Sequence, residues 1–305
     1  MSLAVLCPGQ GAQKIGMASP WTDRSQAARD VFQRCSDALD LDLHALCEEG
    51  PAEKLTRTDV CQPAILAVSA ASLAALEEDG ALNREDVGAA LGLSLGEYTA
   101  LYVAGVLSLE DAVKLVRLRG IAMQDASESP KSGLTSLIGI DRDGAQAICD
   151  EARDDGVCVV ANLNCPGQVV ISGDLDALTR AESIAEERKL ARAVRLDVAG
   201  AFHSPLMEPA RERLEAAIAE TEFHDARFPV LSNATAEAST DKSVLRGNLV
   251  RQLTSPVLFE ASLRGALESG VDRFRELSPG RVLAGFMRKI DRKIAVETSD
   301  GGQRS

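Results

Sequence analysis

Short apolar runs alternate with longer helical stretches along most of the chain. Leu3–Cys7 and Val87–Leu91 are unbroken runs of small and branched apolar residues, the pattern of short apolar strands. Positions 24–40 and 61–79 repeat apolar residues at helical spacing. The second stretch reads as a buried helix with Pro63 in its first turn. Residues 98–107 predict a further helix. Ser108-Leu109-Glu110-Asp111 is an N-cap followed by acids, opening a helix over Leu109–Ala126.

The texture changes at the polar segment 127–133. Strand patterns follow at 134–140, 157–163, 168–172 and 193–198, with helices at 143–154 and 175–189. This β-α-β-β-α-β order is the ferredoxin-like arrangement, a self-contained unit. The expected fold is therefore α/β: an α/β-hydrolase-like large domain with a parallel sheet (1–127 and 199–305), and an inserted ferredoxin-like small domain (128–198). In the returning segment we expect helices at 208–220, 244–253, 256–266 and 282–290, and strands at 228–233 and 272–277, the latter the last of the sheet. The final residues, from Ser299, read as a frayed tail.

Composition narrows the class. A chain of 305 residues with 45% hydrophobic and 26% charged content can bury a large core. Aromatics make up only 3%, which argues against base-stacking platforms, and a net charge of −13 argues against a nucleic-acid partner. The seven cysteines show no CxxC spacing and several lie in apolar runs, so we expect reduced core thiols, no disulfide frame and no metal site. No apolar run reaches membrane-spanning length and no secretory signal is visible. A soluble cytoplasmic protein is the expectation.

Chemistry concentrates at Gly92-Leu93-Ser94-Leu95-Gly96-Glu97-Tyr98. A strand, a sharp turn with serine at its tip and a helix starting at once make a nucleophile elbow, although a tight turn with an ordinary serine remains open on the string alone. The loop Pro8-Gly9-Gln10-Gly11-Ala12-Gln13 fails as a phosphate loop. In an α/β sheet, however, it would sit beside Ser94, because loops beyond the carboxyl ends of adjacent strands converge. Of three histidines, His203 stands in a small-residue turn just past a strand, and His44 and His224 lack such a setting. A serine hydroxyl needs a base, and His203 is the best candidate. Its own orienter stays open: Asp197 is one choice, a backbone or amide carbonyl another. Arg119, if buried, would suit bidentate capture of a carboxylate; a solvated helical arginine is the bland alternative.

Taken together, residues 8–13, 92–98, Arg119-Gly120-Ile121-Ala122-Met123-Gln124, 160–168, Gly200-Ala201-Phe202-His203-Ser204-Pro205, Ser232-Asn233, Val250-Arg251-Gln252-Leu253 and Ser278-Pro279-Gly280 resemble the acyltransferase family of fatty-acid and polyketide synthesis. The malonyl-CoA:acyl carrier protein transacylases are among its members, and the resemblance covers about residues 3–293. It implies Ser94 as acylated nucleophile and His203 as base. It further implies an oxyanion hole from the backbone N–H groups of Gln10 and Leu95, Arg119 on a malonyl carboxylate, and the side-chain carbonyl of Gln252 orienting His203. Gln13 and Asn162 would line the site, and Phe202 would limit room for an α-methyl group. Leu93 departs from the family, many members of which carry His there.

The implied reaction is a ping-pong transfer of malonyl from malonyl-CoA, a coenzyme A thioester, to the phosphopantetheine thiol of acyl carrier protein, with no permanently bound cofactor. Both partners are acidic, so a local basic rim is expected among Arg188, Lys189, Arg192, Arg195, Arg281, Arg288 and Lys289. A serine esterase and an inactive carrier-binding protein are the rival readings.

Overall fold

The computed structural model describes residues 2–298. From the N-terminus the chain forms β1 (Ser2–Cys7), α1 (Ser19–Thr22), α2 (Gln26–Leu39), α3 (Leu43–Glu49), α4 (Ala52–Thr56) and α5 (Thr58–Glu78). Then come β2 (Val87–Gly92), α6 (Gly96–Val103) and α7 (Leu109–Ala126). The middle of the chain gives β3 (Ser132–Ile138), α8 (Arg142–Ala152), β4 (Cys158–Cys165), β5 (Gln168–Asp174), α9 (Leu175–Glu187) and β6 (Arg192–Arg195). The rest is α10 (Glu208–Glu220), β7 (Val230–Leu231), β8 (Ala238–Ser239), α11 (Lys242–Gln252), α12 (Phe259–Glu268), β9 (Val271–Glu276), α13 (Val282–Ile290) and β10 (Val296–Thr298).

The fold is mixed α/β with two separate sheets. The larger has the order β10-β9-β1-β2-β7-β8 and is parallel except at β8. Its central strands are buried on both faces, and their side chains divide with a period of two. Leu3, Val5 and Cys7 join the core built on α2, α5 and α7, whereas Ala4 and Leu6 join Phe259, Leu263 and Met287 from α12 and α13. A continuous apolar run was thus the correct signature of these strands. β1 and β2 end level, with Cys7 opposite Gly92, so the loops carrying Gln10 and Ser94 leave the same edge.

The smaller sheet is antiparallel, in the order β4-β5-β3-β6, which is the ferredoxin-like strand order. Leu137, Val160 and Ile171 pack there against Ile148 of α8 and Leu178 of α9. It is stitched to the rest of the chain in two places. A parallel bridge joins Asn162 of β4 to Val257, with Val257 N–H donating to Ala161 O at 2.8 Å. Ala201 N–H donates to Ser132 Oγ at 3.1 Å, clamping the segment that leaves the small sheet onto the one that enters it.

Several element boundaries differ from expectation for identifiable reasons. The α5 helix starts at Thr58, so Pro63 lies inside it rather than in its first turn. A proline there cannot donate to the carbonyl four residues back; Asp59 O accepts instead from Arg117 Nη1 of α7. By length and composition α5 could cross a membrane, contrary to the reading of apolar runs; 94% of its most apolar window is buried in the protein's own core. The expected helix from 256 begins only at Phe259, because Val257 is engaged with β4. The sheet does not end at β9: Val296–Thr298 adds a parallel edge strand. Residues 299–305, read as a tail, lie outside the described residues. All seven cysteines are free thiols and buried.

Candidate active site

β2 ends in Gly92, and the next three residues turn the chain straight into α6. Ser94 adopts φ 54°, the left-handed region that a non-glycine residue occupies only when its surroundings impose it. The flanking glycines explain how. A Cβ on Gly92 would lie 2.0 Å from the carbonyl carbon of Gly96, and one on Gly96 would lie 2.2 Å from Cys7 O. No side chain fits at either position. The bend is then pinned from both ends: Ser94 N–H donates to Asn233 Oδ1 at 2.7 Å, and Gln252 Nε2 donates to Ser94 O at 2.8 Å.

His203 also has a positive φ, 57°, in a turn closed by Ser204 Oγ donating to Ala201 O at 2.6 Å. Its Nε2 is 2.8 Å from Ser94 Oγ, and its Nδ1 is 2.9 Å from the main-chain oxygen of Gln252. A carbonyl oxygen only accepts, so the proton sits on Nδ1 and the Nε2 lone pair faces the serine hydroxyl. This corrects the expectation for Gln252. Its main chain, not its side-chain carbonyl, holds the imidazole. Asp197 is not among the partners of His203 in the described residues.

The Gln252 side chain is employed elsewhere. Its Oε1 accepts from Arg119 Nη2 at 3.1 Å, and its Nε2 donates to Glu97 Oε2 at 2.8 Å as well as to Ser94 O. Arg119 is 1% exposed, so the solvated-arginine reading is wrong. Its Nη2 is 2.9 Å from Ser94 Oγ and its Nη1 is 2.7 Å from Gln62 Oε1 of α5. Gly120 allows this: a Cβ there would stand 2.5 Å from Thr58 O, so only glycine lets α7 approach α5 closely enough.

Burial dominates the electrostatics. It pushes the His203 imidazole down to about 3, with the positive charge of Arg119 adding to the effect and the Gln252 carbonyl opposing it. Burial also lowers Arg119 from its usual value and raises Glu97 to about 7. A neutral His203 therefore faces Ser94 at neutral pH, beside a guanidinium whose hydrogen-bond partners, Ser94, Gln62 and Gln252, are all uncharged.

The Gln10 loop lies against the elbow as anticipated. Leu93 N–H donates to Cys7 O at 3.0 Å, and a Cβ on Gly9 would meet Leu93 O at 2.6 Å. Among the described residues, the N–H groups of Gln10 and Leu95 have no protein acceptor. A cavity of about 220 Å³ opens beside His203, lined by Arg142, Val160, Leu163, Pro205 and Pro256; an adjoining, more apolar one of about 380 Å³ shares Arg142 and Leu163 with it. A cavity of about 790 Å³ lies between α2 and α3 around Arg29, Asp37 and His44, away from Ser94.

Three expected lining residues are placed less directly. Gln13 folds back so that its Oε1 accepts from Gly11 N–H at 2.8 Å. Asn162 is buried on β4 at the bridge to Val257, and Phe202 is buried in the large core one residue before His203. None of the three lines the cavity beside His203. Within the expected basic rim, Arg188 pairs with Glu151 at 2.5 Å and Arg195 with Glu182 at 2.6 Å, so both are already matched by acids. Residues to which sequence reasoning gave no role are Asn233, Glu97 and Gln62. The available signal was a polar residue at a strand's end, and polar residues inside otherwise apolar helical stretches.

Comparison with known proteins shows the family of the chain. The family model described as acyl transferase domain matches residues 5–299. The malonyl CoA-acyl carrier protein transacylase of Bacillus subtilis (strain 168) is 40% identical over 293 residues, covering 96% of this chain and 91% of that protein. The crystal structure of the acyl-carrier-protein S-malonyltransferase of Bartonella henselae superposes with a TM-score of 0.94 at 37% identity, covering 98% of this chain and 95% of that one. A malonyl-transacylase solved in complex with its type II PKS acyl-carrier protein gives a TM-score of 0.92 at 34% identity, covering 98% and 95%. A serine on a strained elbow, a neutral histidine and a buried arginine thus stand in a chain that belongs to the acyl transferase domain family and is an acyltransferase.

Proposed function

We propose that this acyltransferase moves a malonyl group from malonyl-CoA to the phosphopantetheine thiol of an acyl carrier protein in fatty-acid synthesis, by a ping-pong route through a malonyl ester on Ser94. The observation that carries the reading is the Arg119 guanidinium, 1% exposed and 2.9 Å from Ser94 Oγ, with no carboxylate among its hydrogen-bond partners in the described residues. A buried cation beside a nucleophile suits an acyl group that brings its own carboxylate. The names of the relatives point the same way.

In the first half-reaction Ser94 Oγ attacks the thioester carbonyl while His203 Nε2 takes its proton. The N–H groups of Gln10 and Leu95 receive the developing oxyanion, each worth about 2.7–4 kcal/mol in acyl transfer. Collapse breaks the carbon–sulfur bond, and His203 returns the proton to the departing coenzyme A sulfur. In the second half, His203 takes the proton of the carrier thiol, the sulfur attacks the malonyl ester, and Ser94 leaves with that proton.

The carboxylate also assists the base. Burial and the charge of Arg119 depress His203. A malonyl carboxylate pairing with Arg119 removes part of that penalty, so the correct substrate raises the basicity of its own catalyst. Phe202 would restrict the space at the acyl α-carbon, a discrimination of about 1–3 kcal/mol against one added methyl. We assign Gln13 to shaping the Gln10 loop and Asn162 to the wall contributed by the small sheet. Arg142, at the cavity beside His203, joins Lys189, Arg192, Arg288 and Lys289 as a contact for an acidic partner.

We also take residues 128–198 as the inserted unit, with 1–127 and 199–305 forming the larger one, and expect the protein in the cytoplasm without a permanent cofactor. Intact-mass measurement after mixing with malonyl-CoA tests the reading. The expected result is one malonyl adduct on the wild type, lost with Ser94→Ala and discharged by holo carrier protein; hydrolysis without carrier-dependent transfer would overturn it.

A further inference from the structure

Behind the reacting groups lies a carboxyl that the proposed mechanism does not use. Glu97, in the first turn of α6, is 1% exposed. Its Oε2 accepts from Gln252 Nε2 at 2.8 Å and from Asn233 N–H at 3.1 Å. Those are the two residues that pin the Ser94 bend, through Ser94 O and Ser94 N–H respectively. The acceptor also decides which way round the Gln252 amide sits. A carboxylate oxygen demands a donor, so Nε2 must face Glu97, and Oε1 is left facing Arg119. The second carboxyl oxygen, Oε1, has no hydrogen-bond partner of good geometry, although Ser232 lies near enough to influence the group's protonation.

The charged surroundings of Glu97 are sparse. On its own helix the titratable neighbour is Tyr98, and α7 contributes Arg119. The α11 helix and the loop after β7 face it with the uncharged Gln252, Ser232 and Asn233. His203 is one hydrogen-bonded residue further away, through Gln252. β1 and β2, which pack on α6, carry no charged side chain. Glu97 and Arg119 are therefore the two opposite charges of one buried site, joined through the Gln252 amide. A carboxylate arriving on Arg119 makes a second negative charge there, and a buried site with low dielectric resists that surplus.

We propose that Glu97 is a positioning residue whose carboxyl sets Gln252 and Asn233 around Ser94, and that it takes up a proton from solvent when an anionic acyl group seats on Arg119. The proton goes to Oε1, which has no partner to lose, while Oε2 keeps both of its donors. Burial already holds this carboxyl near neutrality, so uptake falls within the working range of the enzyme. This inference rests on the malonyl reading above. It adds that preference for an anionic over a neutral acyl group declines as rising pH strips the proton from Glu97.

The test is the ratio of kcat/KM for malonyl-CoA to that for acetyl-CoA, measured from about pH 5.5 to about pH 9 on wild type and Glu97→Gln. His203, depressed to about 3, stays neutral across this range, and titration of the carrier thiol is common to both donors. For the wild type we expect a fall of about tenfold as pH rises through neutrality, the change that one pKa unit of coupling produces. Glu97→Gln keeps an acceptor for both amides but cannot ionise, so its ratio should be flat. Glu97→Ala should lose at least about tenfold in kcat for both donors, as expected when charge-assisted anchors go, while Glu97→Gln retains most of it. A pH-dependent ratio unchanged in Glu97→Gln, a flat wild-type ratio, or Glu97→Ala as active as Glu97→Gln would each overturn the proposal. If Glu97→Ala does not fold, the Glu97→Gln profile decides alone. Absence of any malonyl adduct on wild-type Ser94 would remove the functional reading and this proposal together; an adduct with the wrong pH profile removes only this one.

Discussion

The main-chain oxygen of Gln252, 2.9 Å from His203 Nδ1, does the work that a carboxylate does in a Ser-His-Asp triad. It fixes the tautomer without adding a negative charge. An acid at that position would stabilise the imidazolium, but under the proposed malonyl reading it would also place a second negative charge beside the acyl carboxylate on Arg119. A neutral orienter leaves the guanidinium's field for the substrate.

Because the main chain holds the imidazole, Gln252→Ala should keep His203 in place. We expect a loss of about tenfold in kcat, the scale of a missing side-chain anchor to a charged group, against at least about 10³-fold for His203→Ala. Steady-state transfer assays on the two variants check this; equal losses would return the orienting role to the Gln252 side chain.

Arg119→Ala should cut malonyl transfer about 10–100-fold more than acetyl transfer, the range of one or two charge-assisted hydrogen bonds. Arg119→Lys should recover little of the loss, since a single ammonium cannot span Gln62, Ser94 and Gln252 as the guanidinium fork does. Competition between the two thioesters measures the ratio directly.

Gly92→Ala should be expressed poorly or be destabilised by about 3 kcal/mol or more, at or beyond the top of the range for overpacking. Its methyl would lie 2.0 Å from backbone, not from a side chain that could move. Denaturant titration gives the figure, and a variant of wild-type stability would show that the elbow can relax.

The pH dependence of stability should separate Glu97 from His203. Glu97 in the folded protein sits near 7, above its ordinary 4.5. The native state thus holds a proton that the unfolded chain releases between those values, and this stabilisation is complete below about 4.5 and lost as pH rises through 7. His203 is depressed to about 3, so its effect is opposite: full stability above 6.5, declining as acid protonates the unfolded chain first. Thermal melts across this range should therefore show Glu97→Gln gaining on wild type as pH increases from 4.5 past 7. A constant difference would contradict the assignment.

Much of this protein is legible in its residues because local signals and tertiary environment agree. The helix Val282–Ile290 and the helix Leu109–Ala126 have the expected bounds, since capping and apolar spacing are properties of the segment itself. The apolar run Leu3–Cys7 announced a strand, which the fold covers on both faces, and the glycine spacing around Ser94 announced a strained bend with close backbone packing. Short edge elements were missed: Val296–Thr298 becomes a strand only because β9 offers it an edge.

What the sequence by itself determined is the candidate pair Ser94 and His203, which the fold brings to 2.8 Å, because only three histidines compete and the Ser94 motif carries its own geometry. Tertiary structure alone decided how those groups are held. Whether Gln252 uses its side chain or its carbonyl, whether Arg119 is solvated or sealed against α5, and whether Glu97 caps a helix or ties the site together depend on segments 49 to 155 residues apart meeting within 3 Å. Hydrogen bonds and burial between such segments leave no periodicity in the chain, so their partners are fixed only when the sheets and helices pack.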